Sequence, residues 1–499
     1  MKPTTPKSAW QKTRKFFNDI HLWLGLASGI IVILVCLSGT LYVFNTELKE
    51  MANPELYKVN APAGANPMPI ESLIKKVKES TGGKVVSVKI PADPNRTYQF
   101  MVRIKEAGKD KKEGKATNEA IGNKEQAIAV ATVGTAQIAG NTPEKAQSES
   151  ADLKEGKAET GKDKGSAGNE GKGGERKEGK GKDGKGKDGK GGKPEEGKRP
   201  SAFAVNQYTG EVIGNISEVK GATASLMKTM FSLHRWLLLD KIEKPIFGEL
   251  ENRKLGSYIS GAATILFTLG VITGMVIWFP QRIKSWKQGL KIKWSGSWKR
   301  TNHDLHNSLG FYACIFLFLM GITGPQWSFP WYREALRKSL GTYQPEGFEP
   351  PKDPASTVIA GAAPLNLGDY LKNADAALPY QGDYSISLPK DSASAITIMK
   401  NKVGFFAPAA GDKILLDQYT GTVLKTEVFS EKPLNERISG SIKALHLGDV
   451  YGLFTKIIYF FACLIATSLP ITGTLIWLNK LKKKRKKKVK QTPAMRLSA

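Results

Sequence analysis

Four stretches of this chain, 22–44, 258–279, 309–327 and 453–477, are nearly free of charge and apolar over about twenty residues each. That is the length a helix needs to cross a hydrocarbon core of about 30 Å. The bilayer therefore sets the fold class: an α-helical membrane protein with four transmembrane helices. The average hydropathy looks soluble only because a Lys-, Glu- and Gly-rich tract pulls it down.

The formal net charge of +28 is placed for a membrane rather than for nucleic acid. Basic clusters lie at 7–15 (KSAWQKTRK), 281–300 and 480–488 (KLKKKRKKK), which are the N-terminus, the loop between the second and third windows, and the C-terminus. Four crossings bring all three to one side, and the positive-inside bias makes that side cytoplasmic. The long connections, about 46–255 and 330–450, then lie outside. No basic domain interleaved with aromatics offers a nucleic-acid surface. The first window is too long for a signal-peptide core and no small-residue cleavage site follows it, so it reads as a retained anchor. Cys36, Cys314 and Cys463 all fall inside apolar windows. The outer segments therefore carry no disulfide, and a C-x-x-C-H haem attachment is excluded.

The outer segments repeat one pattern. In the first, 69–81 has the spacing of an amphipathic helix, 84–90 and 97–104 alternate as strands, and 203–214 reads strand, turn, strand. In the second, 366–378 is a helix, 384–389 and 395–400 are strands, and 414–425 closes the unit. A shared QYTGxV (207–212 and 418–423) sits at matching places, with Gly supplying a positive backbone angle to a turn. Each apolar window ends near a Ser/Thr-Gly pair, at Ser38-Gly39, Thr273-Gly274, Thr323-Gly324 and Thr472-Gly473, read as close helix packing. Residues 106–199 lack Phe, Trp and Tyr and end in GKGKDGK-type repeats, a composition that predicts a disordered insertion. The expected plan is a basic N-terminus (1–20), helix 1 (21–45) and a first outer α+β domain (46–105 with 200–232) interrupted by 106–199. A His-bearing segment and helix 2 (233–279), a basic loop (280–302) and helix 3 (303–328) follow. A second outer domain (329–440), a His-bearing segment and helix 4 (441–478), and a basic tail (479–499) complete it. The helices thus form two pseudosymmetric pairs.

The chain holds five histidines, and their places carry the function. His21 precedes the first window and His303 and His306 the third, both on the cytoplasmic side. His234 and His446 precede the second and fourth, on the outer side. His21-x3-Gly25 and His306-x3-Gly310 share a spacing that puts an imidazole and a bare backbone on one helix face, where a flat macrocycle has room. Two imidazoles at each membrane face are what two bis-histidine haems require. His21 and His234 stand a membrane thickness apart, so the pairing is His21 with His306 and His234 with His446. Zinc or copper also takes histidine, although zinc usually adds Cys or carboxylate ligands at close spacing. His303 reads as a surface residue or as one that supports a ligand from behind.

LHRWLLLD (233–240), DLHNSLG (304–310), LHLGDVYG (445–452) and the TG-terminated helices resemble the PepSY-associated transmembrane family of iron-regulated bacterial inner-membrane proteins. The resemblance implies two small PepSY-like periplasmic domains, non-covalent haem b held by His21, His306, His234 and His446, and the activity of a ferric-siderophore reductase. By the same resemblance the chain is expected to be an oxidoreductase of iron acquisition in a bacterial inner membrane, with both termini cytoplasmic. No dinucleotide or phosphate-loop motif is present, so the electron donor is external, a quinol or a cytoplasmic reductase. The stretch QWSFPWYREAL (326–336) offers Trp331, Tyr332 and Arg333 as chelate contacts, against the plainer reading of an aromatic belt. The rival functions are an iron or chelate permease and a non-redox regulatory membrane protein.

Overall fold

The computed structural model describes residues 9–104, 199–279 and 286–491 of the chain. The insertion expected at 106–199 lies outside the described residues except for Arg199. The helices used below are α1 (Ala9–Tyr42), α2 (Ile70–Thr81), α3 (Ala222–Trp236), α4 (Asn252–Trp278), α5 (Trp298–Thr323), α6 (Pro330–Ser339), α7 (Leu367–Ala377), α8 (Ile442–Leu447) and α9 (Gly452–Gln491). The strands are β1 (Lys84–Ile90), β2 (Tyr98–Arg103), β3 (Ser201–Val205), β4 (Val212–Asn215), β5 (Gly382–Ser387), β6 (Ile396–Lys402), β7 (Asp412–Leu416) and β8 (Val423–Glu427).

Four segments are long and apolar enough to cross a bilayer: Lys12–Tyr42, Asn252–Trp278, Trp298–Trp327 and Gly452–Lys483. They mark a multi-pass membrane protein. Each runs beyond its apolar window because the helix continues into polar turns, and in α1 and α5 those turns carry His21 and His306. α1 packs on α4 and α9, and α5 packs on the same two, so α1 and α5 stand diagonally across a four-helix bundle. Small residues allow this closeness. A Cβ at Gly256 of α4 would lie 2.1 Å from the Trp236 carbonyl oxygen, so only glycine lets α3 seat on α4 there.

The segments between α1 and α4 and between α5 and α9 both contribute to one sheet. Two separate outer domains were expected, and the structure corrects this to a single eight-stranded antiparallel sheet ordered β4-β3-β2-β1-β5-β6-β7-β8. The halves join through β1 and β5, with Ser87 opposite Ser387 and Ile90 opposite Tyr384. One core serves both: Leu73 and Val77 of α2 and Tyr370 and Ala374 of α7 share it with Phe100, Val102, Ile386, Ile398 and Ile414. Each large apolar side chain buried there contributes about 1.5–3 kcal/mol. The physical reason for the merger is that an unpaired β1 or β5 would leave a row of backbone donors and acceptors open.

The QYTG repeats are the turn chemistry expected of them. Gly210 and Gly421 adopt φ of 74° and 69°. The Asn206 and Asp417 carboxamide and carboxylate oxygens accept from the backbone N–H groups of Tyr208 and Tyr419. Gln207 and Gln418 add what a turn does not need. Both are buried, and each donates through Nε2 to the carbonyls of the neighbouring hairpin, at Pro94 or at Asp391, Ser392 and Ser394.

Candidate functional site

Four of the histidines meet in two pairs. The His21 and His306 ring centroids are 6.1 Å apart with planes at 78°, and those of His234 and His446 are also 6.1 Å apart, at 67°. His21 and His306 extend from the diagonal helices α1 and α5. Their counterparts sit in the last turns of α3 and α8. The levels of the two pairs are related along α1, where His21 belongs to one and Gly39 lines the other. Those eighteen residues (39 − 21) at 1.5 Å rise correspond to about 27 Å.

Every ring is pinned through Nδ1 to a different helix. His21 Nδ1 lies 3.0 Å from the Gly270 carbonyl oxygen and 3.2 Å from Thr273 Oγ1. His306 Nδ1 lies 2.9 Å from Thr472 Oγ1, His446 Nδ1 3.0 Å from Thr323 Oγ1, and His234 Nδ1 2.8 Å from the Val35 carbonyl oxygen. A carbonyl can only accept. The three threonine hydroxyls donate their own protons to carbonyls one turn back, Leu269, Ser468 and Leu319, at 2.9, 3.0 and 2.7 Å, so towards the imidazoles they too can only accept. Each Nδ1 must therefore carry the proton, which leaves a lone pair on each Nε2. That is the tautomer of a metal ligand whose second nitrogen is held by a backbone or hydroxyl partner.

Glycines complete the sockets. A Cβ would lie 3.1 Å from His21 Cε1 at Gly274, 3.2 Å from His234 Cε1 at Gly39, 3.3 Å from His446 Cε1 at Gly324 and 3.2 Å from His306 Cε1 at Gly473. The four Ser/Thr-Gly pairs, read in the sequence as packing, are thus the four histidine sockets. The sequence signal was present in their even placement, but it did not say which ring each one meets. Gly25 and Gly310 behave differently. A Cβ at Gly25 would meet nothing within 4 Å, and one at Gly310 would make an ordinary van der Waals contact with Leu469 Cδ2 at 3.7 Å, so neither faces an imidazole and Gly25 alone borders open space.

Local turns fix the two histidines on the sheet side. After His446 the chain leaves α8 through Gly448 at φ 76°. After His234 it turns through Leu237 and Leu238, both at positive φ, which costs about 1–2 kcal/mol per non-glycine residue. Buried Trp236, under the Arg253 guanidinium at 4.1 Å, and the Ser232–Asp240 hydrogen bond hold that turn in place. The sequence profile of the PepSY-associated TM region matches residues 19–480, which span the four helices, both histidine pairs and the sheet. The chain belongs to this family. No curated protein matches it.

Within this family member the remaining candidates fall as follows. His303 is half-exposed beside Asp304 and joins neither pair. Trp331 and Arg333 are exposed on α6, and Tyr332 is half-buried with its hydroxyl donating to the Ile322 carbonyl at 2.9 Å. An aromatic residue does touch the sheet-side pair: Trp327 lies 4.9 Å from His446 between ring centroids, and the sequence reading passed over it. Cys36, Cys314 and Cys463 are free, and Cys463 Sγ lies 3.6 Å from Met320 Sδ in the bundle core.

Proposed function

We propose that this protein is a di-haem b electron-transfer protein of a bacterial inner membrane, with both termini cytoplasmic, that reduces a ferric siderophore or similar ferric chelate on the sheet side. The observation that carries the reading is the pair of 6.1 Å imidazole couples with their Nδ1 atoms committed. Each couple would offer a metal the two Nε2 lone pairs that the committed Nδ1 atoms leave free. Two nitrogens are too few for a bare ion, and among the described residues no cluster of three or more His, Cys, Asp or Glu is placed to hold one. A group that would bring further nitrogens of its own, as a haem does, fits this donor set, and the open backbone at Gly25 would give a flat ring room.

His21 and His306 would hold one haem and His234 and His446 the other; when bound, the group supplies a one-electron couple. The chain's own residues orient the donors. Thr273, Thr323, Thr472 and the Val35 carbonyl fix each tautomer, and the socket glycines set how closely each ring approaches its helix. A ferric chelate binds iron(III) far more tightly than iron(II), so one electron delivered outside releases the metal with its ligand intact. Trp331, Tyr332 and Arg333 are assigned to chelate contact beside Trp327. The electron comes from a quinol or a cytoplasmic reductase.

Dithionite-reduced protein, freed of excess reductant and mixed anaerobically with a ferric trihydroxamate and an iron(II) indicator, tests this. The expected result is reoxidation with one iron(II) captured per electron. A spectrum that stays reduced with hydroxamate, catecholate and citrate chelates alike would remove the reductase activity, and chelate uptake by liposomes without reductant would install the permease instead.

A further inference from the structure

We infer that two apolar tips on the sheet side, Phe247 in the first half and Phe405–Phe406 in the second, are inserted in the outer lipid leaflet and fix the sheet over the His234–His446 pair. Phe247 is 67% exposed and Phe405 and Phe406 are 57% each, with Ile242 and Ile246 exposed beside the first. Neither tip is slack chain. Buried Asn252, the first residue of α4, staples the 242–250 loop: its Oδ1 accepts from Ile246 N–H at 2.8 Å, and its Nδ2 donates to the carbonyls of Ile242 and Lys244 at 2.8 and 2.6 Å. Phe405 and Phe406 form the tip of the β6–β7 hairpin, and the start of α9 holds them. The Ala409 N–H donates to the Val450 carbonyl at 2.9 Å, the Phe454 N–H to the Phe405 carbonyl, and Phe406 stacks on Tyr451 at 4.8 Å.

Holding three phenylalanines rigidly in water would cost hydrophobic free energy with no return, so the surroundings of the tips decide their role. Those surroundings are membrane helix. Phe406 also packs edge-on against Phe454, and from there Leu453, Ile457, Phe461 and Leu464 continue exposed down α9, a helix long and apolar enough to span the bilayer. The tip is the upper end of a lipid-facing stripe. The other tip stands where α4 begins, so each half places one beside the start of its second crossing. Aromatic rings at that depth favour the boundary of headgroups and acyl chains, about 5–10 Å below the surface. The inference rests on the spanning helices and not on the haem reading.

Full-length protein with Cys36, Cys314 and Cys463 replaced by alanine would receive one cysteine at a time, Phe247→Cys, Phe406→Cys or, on the exposed surface of α7, Lys372→Cys. Each would carry an environment-sensitive fluorophore in nanodiscs of phosphatidylethanolamine and phosphatidylglycerol. Labels at 247 and 406 should be blue-shifted and quenched severalfold by lipids bearing a nitroxide high on the acyl chain, and little by iodide. The label at 372 should show the reverse. Iodide quenching at 247 and 406 equal to that at 372 overturns the inference, and so does protection from both quenchers, which would mean protein covers the tips. The unsubstituted protein gives a second readout, since a photoactivatable lipid should form adducts on the peptides containing 247 and 405–406. Absence of adducts there, with adducts on α9, also overturns it.

Discussion

Thr472→Val probes the socket reading at one atom. The threonine hydroxyl accepts from His306 Nδ1 at 2.9 Å while donating to Ser468, and valine keeps the shape and removes the acceptor. His306 Nδ1 would then lose its hydroxyl partner. A hydrogen bond of this kind is worth about 0.5–1.5 kcal/mol net, a factor of about 2–13 in the affinity of the His21–His306 site. The remaining imidazole is less electron-rich and favours the ferric state less, so the midpoint of that haem should rise, by at most about 20–65 mV at 59 mV per tenfold. Ser38→Ala is the matched control. The Ser38 hydroxyl donates to the Leu34 carbonyl and to the Val35 carbonyl that also accepts from His234, so its removal leaves that histidine's bond on a carbonyl it no longer shares, and no rise in midpoint is expected there. Spectroelectrochemical titration of both variants reads the result. Equal shifts in the two, or a Thr472→Val shift confined to the other haem, would refute the argument that the threonine acts through Nδ1.

Four further outcomes follow from the same geometry. His446→Ala and His234→Ala should each remove the sheet-side haem and spare the other, halving the haem content, while His21→Ala and His306→Ala do the converse. The near-perpendicular ring planes, 78° and 67°, predict strongly axial low-spin signals in electron paramagnetic resonance; two rhombic signals of parallel-plane type would contradict the ring orientations. Replacing Trp331, Tyr332 and Arg333 together with alanine should raise the apparent KM for chelate severalfold with kcat little changed, and an unaltered KM would leave that stretch as an aromatic belt. Burial would raise the Glu427 pKa, but hydrogen bonds from Lys425 and Lys432 outweigh it and hold the carboxyl down at about 2 from 4.5. A depressed carboxylate stabilises the fold fully above its ordinary pKa and loses that contribution as pH falls towards 2. Hydrogen exchange at β7 and β8 should therefore accelerate between about pH 4.5 and 2 beyond its intrinsic trend, and Glu427→Gln should abolish the excess.

The membrane helices, the helix and strand positions of the sheet and the QYTG turns were legible because each depends on local periodicity or on a backbone angle that glycine supplies. The merger of two outer units into one sheet was not. β1 and β5 each read as an ordinary alternating strand, and the pairing of Ser87 with Ser387 joins residues three hundred positions apart. The same limit explains the sockets. Gly39 and Gly274 announce close approach, but the partner ring arrives from 195 and 253 residues away (234 − 39 and 274 − 21), so helix packing was the local inference available. Gly25 and Gly310 stand out through an i, i+4 pattern on one helix that would leave room for a flat ring; a Cβ at Gly25 would meet open space, and one at Gly310 would touch Leu469. The histidines themselves were readable because the chain has so few and spends four just ahead of its apolar windows.

The central claim stands or falls on cofactor content. Detergent-purified protein, expressed with ample haem, should give two b-type haems per chain by pyridine haemochrome, with low-spin spectra in both oxidation states. One haem would make one imidazole pair structural, and none would contradict the electron-transfer account.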